Sequence, residues 1–194
     1  YGNADHALIF SSTAPFFNNL DRGKTFGHEI NNSALDENTA ALDSWLSMGG
    51  ASNQKFGIPK EDDPDGSIVG GSHNDGGSAE VGGGLLINDD PGAGIPLTVA
   101  DGLLPLNGAN VLPPSFNVFG DDPATVFKDS TSHSAFIAHD LRIGCASPGV
   151  KGPTPDNKVL VAQLTTTGEL SFSLNVEVQR ANGDVVKYVA NDSI

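Results

Sequence analysis

Residues 159–189 read VLVAQLTTTGELSFSLNVEVQRANGDVVKYV, and their patterning decides the fold class. Val159 to Leu164 is an apolar run and Thr165 to Gly168 a turn. From there Leu170, Phe172, Leu174, Val176 and Val178 alternate with Glu169, Ser171, Ser173, Asn175, Glu177 and Gln179. Successive side chains of a strand point to opposite faces, so this period of two predicts one long strand with a dry face and a wet face. Asn182-Gly183 supplies the pair of left-handed conformations that a two-residue type I′ turn demands, and Val185 to Val189 returns as the next strand. The expectation is a three-stranded β-meander packed on a core by one face.

Short apolar runs bounded by turn residues recur upstream, at His6–Phe10, Phe116–Phe119, Ala135–His139 and Leu141–Ile143, with further runs at Leu85–Ile87, Ile95–Val99 and Leu103-Leu104. Thr13 to Gly27 reads as a loop with Phe16 and Phe17 tucked inward. Ser33 with Asp36 resembles a capping box and allows a short helix from Ser33 to Ala40. Leu42, Ser44, Leu46 and Met48 read better as one face of a strand ending at Gly49-Gly50. Residues 59–84 hold eight glycines between Gly66 and Gly84. They read as a long surface loop, because the flanking halves are each too short and loop-rich to close a core alone. The predicted fold is all-β, an antiparallel β-sandwich or jelly roll formed by residues 1–194 as one domain. Long Gly/Asp-rich loops and at most one or two short helices complete it.

Twenty-four acidic against ten basic side chains give a formal charge of −14, which repels phosphate and leaves no basic stripe to overcome it. Nucleic acid and anionic membrane are therefore poor partners, and no apolar stretch approaches the ~20 residues that span a bilayer. Such an excess of one sign also repels itself, a cost that salt or divalent cations reduce. The single cysteine, Cys145, allows no intrachain disulfide. It reads as a buried inert thiol, with an exposed thiol for intermolecular pairing as the alternative. The start at Tyr1, without Met or a signal peptide, reads as a processed or trimmed chain. Asn31-Asn32-Ser33 and Asn191-Asp192-Ser193 are glycosylation sequons, placing Asn31 and Asn191 on the surface in a eukaryotic secretory setting.

Calcium is the ligand that the chemistry of this sequence supports best, since hard cations take carboxylate and backbone oxygens from acidic, glycine-rich loops. Glu61, Asp63 and Asp65 alternate before Gly66 as in the first half of a calcium loop. The twelfth position, Ser72, is no bidentate acid, and Pro64 stiffens the loop. A site would therefore draw on Asp89 and Asp90 or on Asp121 and Asp122, and the competing reading is a solvated acidic turn. Asp-Asp-Pro occurs at residues 62–64, 89–91 and 121–123. Asp before Pro is a favoured way to start a turn, so no repeat is implied. The five histidines never adopt a zinc-protease spacing, and no nucleophile elbow or phosphate loop is present. Trp45 is a candidate sugar platform, but an indole in a strand is more often packed in a core.

Two stretches carry a resemblance. Leu42-Asp43-Ser44-Trp45-Leu46-Ser47-Met48-Gly49 is similar to an Asp-Ser-aromatic-aliphatic-Thr/Ser-aliphatic-Gly pattern. Lys158-Val159-Leu160-Val161-Ala162-Gln163-Leu164-Thr165-Thr166-Thr167-Gly168 resembles a strand and turn of the form basic-Val-Leu-aliphatic-Ala/Gly-Gln-Leu/Phe-Thr-Thr-x-Gly. Both patterns resemble β-rich domains of large secreted proteins of marine bacteria, and together they cover about a tenth of the chain. The resemblance implies an extracellular location and a β fold, and carries over no functional residues.

The expectation is a secreted structural or adhesive module at the cell surface or outside the cell, with no enzymatic activity. Its expected partners are copies of itself or other extracellular matrix or surface proteins. His6, Ala7, Leu8, Ile9 and Phe10 form a short apolar strand placed to be donated to a neighbour's sheet edge. The alternative is a calcium-assisted module that binds glycans.

Overall fold

The computed structural model describes residues 1–18, 24–29, 43–48, 105–106, 110–111, 116–128, 131–145, 159 and 161–190, with the backbone alone at 105–106, 110–111 and 116. The expected helix at 33–40, the runs between residues 85 and 104, and the loop at 59–84 lie outside them. The strands are β1 (Leu8–Ser12), β2 (Trp45–Leu46), β3 (Pro105–Leu106), β4 (Asn110–Val111), β5 (Phe116–Gly120), β6 (Ala135–Ala138), β7 (Leu141–Cys145), β8 (Ala162–Gln163), β9 (Leu170–Ser173), β10 (Val176–Gln179) and β11 (Val185–Tyr188). The fold is all-β. Among the described residues every ladder between these strands is antiparallel, β6-β1-β9 forming one sheet and β5-β7, β10-β11, β2-β8 and β3-β4 forming pairs, with one isolated parallel bridge between Phe26 and Leu46. Among the described residues the helical content is two three-residue 3-10 turns, Gly27–Glu29 and Pro123–Thr125.

The core gathers around Phe127, whose ring meets Phe10 at 6.3 Å, Phe16 at 5.6 Å and Phe136 at 5.5 Å, with Leu8, Leu46 and Leu141 in the same cluster. Phe127 reaches this position through a turn that the sequence specifies locally. The Asp122 carboxylate accepts from Ala124 N–H at 2.9 Å and caps the 3-10 turn, with Pro123 in its first turn. Just before it, Gly120 has φ +94°, and a Cβ there would lie 1.8 Å from the Asp140 carbonyl oxygen. Only glycine fits that position.

Four expectations are corrected. The long strand from Leu170 is two strands, because the chain breaks at Leu174-Asn175: β9 pairs with β1 and β10 with β11. Asn175, expected on the wet face, is buried, its Nδ2 donating to the carbonyls of Tyr1, His6 and Ala7 at 3.0–3.1 Å while Oδ1 accepts from Ala190 N–H. Such a polar side chain is buried because it satisfies backbone groups that would otherwise lack partners. The hairpin turn is also one residue longer than a type I′ turn. Gly183 N–H donates to Arg180 O and Arg180 N–H to Asp184 O, with Gly183 at φ +90°. This is a three-residue loop closed by a left-handed bulge residue. Finally, the alternation expected over 42–48 is absent from its described residues 43–48: strand pairing there is limited to Trp45–Leu46, and Asp43 to Ser47 are all buried because chain packs on both sides of them.

Candidate functional site

The strand expected to be donated is the central one. Leu8 to Ser12 lies between β6 and β9, with Phe10 opposite Phe136 on one side and Phe172 on the other, while His6 and Ala7 precede the strand. Neither edge of β1 is open, since both sets of its backbone groups are used. This sheet has two edge strands, β6 and β9, each pairing with β1 alone among the described residues, and β9 is the one that carries an exposed aromatic side chain, Phe172.

The hydrogen-bond pattern defines what that edge offers. Thr13 N–H donates to Glu169 O at 3.1 Å, and Ser12 N–H donates to Ser134 O at 2.7 Å. In an antiparallel ladder, bonded pairs alternate with non-bonded ones. Odd-numbered residues of β1 therefore bond to Glu169, Ser171 and Ser173, and even-numbered residues bond toward β6. The N–H and C=O groups of Leu170 and Phe172 point away from β1. No hydrogen bond occupies them among the described residues.

The side chains of the same two residues complete the site. Cross-strand partners share a face, so Phe172 stands on the side of the sheet that holds Phe10 and Phe136. Phe10 and Phe136 are each 4% exposed, whereas Phe172 is 66% exposed and Leu170 43%. Residues 170–174, Leu-Ser-Phe-Ser-Leu, carry no charge in a chain whose net charge is −14. Edge strands are usually blunted by lysine, proline or a bulge, and β9 has none of these. β11 differs: its Lys187 lies 3.4 Å from Glu177 and its ammonium sits 5.8 Å above the Tyr1 ring.

Asp121 and Asp122 serve as turn residues. Asp121 Oδ2 accepts from His139 N–H at 3.0 Å and Asp140 N–H at 3.1 Å, which closes the bend between β6 and β7. With Asp122 and His133 it lines an open depression of roughly 390 Å³. Among the described residues no group of three His, Cys, Asp or Glu side chains is placed to hold a metal. Glu61, Asp63, Asp65, Asp89, Asp90, Asn31 and Asn191 lie outside the described residues. His133 and His139 flank β6 at opposite ends and form no common site. His28 is half-buried and its pKa is lowered by desolvation, against the attraction of Glu29. Cys145 ends β7 and is half-buried.

Trp45 is 1% exposed, so no sugar stacks on it. Residues 43–46 and 162–165 interlock instead. Trp45 pairs with Gln163 and Leu46 with Ala162; Gln163 Nε2 donates to Asp43 O at 2.8 Å, and Ser44 Oγ accepts from Thr165 N–H at 3.0 Å. Segments more than a hundred residues apart thus form one hydrogen-bonded unit, buried on the side of residues 43–46 and half-buried on the other, which gives their polar residues an architectural role. Among the described residues no helix is long and apolar enough to cross a membrane. Comparison with protein-family models, curated proteins and solved structures found no match to this chain.

Proposed function

We propose that this chain is a structural or adhesive β module that works outside the cell and associates with copies of itself through the edge strand β9. The carrying observation is the exposure of Phe172 beside buried Phe10 and Phe136 on one face of one sheet. An edge with unoccupied N–H and C=O groups is a template for another strand, and uncovered apolar side chains on the same residues add a driving force. Burying a phenylalanine or leucine fully is worth about 1.5–3 kcal/mol. The charge of −14 opposes association. That repulsion is screened beyond ~8 Å at physiological salt, and residues 170–174 carry no charge to be brought together. The acidic composition and the resemblance to secreted marine-bacterial domains support an extracellular setting. Calcium enters as an accessory that lowers the repulsion, with Glu61, Asp63, Asp65, Asp89, Asp90, Asp121 and Asp122 as its candidate ligands.

Light scattering on the native protein, with and without millimolar calcium, tests this reading. The expected particle is larger than the 20.0 kDa single chain, and Phe172→Lys, which puts a charge on the edge, reduces it to that mass. A native protein that stays monomeric at every accessible concentration sinks the proposal and directs the search to a glycan array.

A further inference from the structure

Resting on that reading, we infer that the partner of β9 is β9 of a second copy, paired antiparallel about a two-fold axis through Ser171. Three strands from each copy then form one continuous sheet in the order β6-β1-β9-β9-β1-β6.

Three constraints select this arrangement. First, only Leu170 and Phe172 direct their backbone groups outward within β9, so the bonded pairs across the new ladder are made by even-numbered residues. Second, opposed residues of an antiparallel ladder share a face, so apolar side chains of one copy must meet apolar side chains of the other. Third, the bonded residues must lie within the strand, which ends at Ser173.

A two-fold axis through Ser171 sets Leu170 opposite the second copy's Phe172, and Phe172 opposite its Leu170. Both outward-facing residues of each strand are then bonded, and the exposed Leu170 and Phe172 side chains of the two copies cover one another. Ser171 faces Ser171, and Glu169 faces Ser173, so no acid stands opposite an acid. An axis through Phe172 or Ser173 instead recruits Leu174, which lies beyond the strand and packs against the core of its own chain. An axis through Leu170 or Glu169 sets Phe172 opposite Gly168 or Thr166, outside the strand, so the edge is self-complementary in one register. The outer face of the new sheet presents Ile9, Ser11, Ala135, Ile137, Ser171 and Ser173, uncharged within the strands, with Glu169 of each copy at the ends of the new ladder.

Disulfide trapping tests the register. In a Cys145→Ser background, the full chain carrying Ser171→Cys is oxidised and compared with the same chain carrying Ser173→Cys. The Ser171 pair is non-hydrogen-bonded, with Cα atoms about 4.5 Å apart, inside the range a disulfide bridges. The two Ser173 positions lie four residues apart along the ladder, ~13 Å, which no disulfide spans. The expected result is at least about tenfold more covalent dimer from the position 171 variant than from the position 173 variant, as the bridging limit dictates. Light scattering on the same samples before oxidation separates the two ideas. Assemblies that form but link at 173, or at neither position, overturn the Ser171 register and leave self-association standing. Monomers throughout overturn both.

Discussion

Phe10, Phe136 and Phe172 stand on the same side of one sheet, yet the first two are buried and the third is two-thirds exposed. The difference lies above the sheet. Phe127, delivered by the Asp122-Pro123 turn, covers β1 and β6 with ring contacts to Phe10 and Phe136, and Phe172 makes no ring contact among the described residues. Alternation along a strand reports which side a residue faces and is silent about whether anything covers that side. Where a covering group arrives, the apolar face becomes core; where none does, it stays exposed.

The sharpest way to break this comparison is to remove the cover. Phe127→Ala is expected to cost about 3–5 kcal/mol in chemical denaturation, the range for emptying a packed aromatic site. Phe172→Ala in the monomer should stay within about 0.5 kcal/mol of native, as for ordinary surface positions. Equal costs at the two positions would show that β9 is covered after all. Next in size is Asn175→Ala, which strips the donor shared by Tyr1, His6 and Ala7 and the acceptor of Ala190 N–H. A loss of about 1–3 kcal/mol is expected for leaving such groups unsatisfied, with faster hydrogen exchange at residues 1–7 as the local signature. Gly183→Ala meets no atom within 4 Å and suffers only from its φ of +90°, so about 1 kcal/mol should be lost.

The smallest effect is that of pH. Burial holds the His28 pKa below the unfolded value of 6.5, so the unfolded chain takes up the proton first as pH falls. Stability contributed by neutral His28 is therefore complete above pH 6.5 and declines below it. Melting temperature against pH should show this decline in the native chain and a reduced one in His28→Gln. Association through residues 170–174, which contain no ionisable side chain, should show no such step at the same pH.

Much of the fold class was legible in the sequence. The strands near residues 8, 116, 135, 141, 170 and 185 appear where apolar alternation and turn residues set them, and Asp121-Asp122-Pro123 acts as the turn its composition predicts. The site was less legible. His6 to Phe10 looks like a donor strand because it is short and apolar, but the same properties suit a central strand with neighbours on both sides. The Phe172 edge carried a signal that sequence reading passed over: a run of five uncharged residues, 170–174, in a strongly acidic chain. Asn175 gave no such sign, since its burial depends on three carbonyls that lie more than 160 residues away.

The amino-acid sequence by itself determined the antiparallel β class, the turns at Asp121-Asp122-Pro123 and Asn182-Gly183 and the alternation within short strands such as β9, because these follow from backbone geometry over a few residues. Only the tertiary structure decided that β1 is central, that β2 meets β8, that Asn175 is buried and that Phe172 is not. The reason is that burial depends on distant segments arriving at one place, and neither the period nor the composition of a strand encodes what will lie above it.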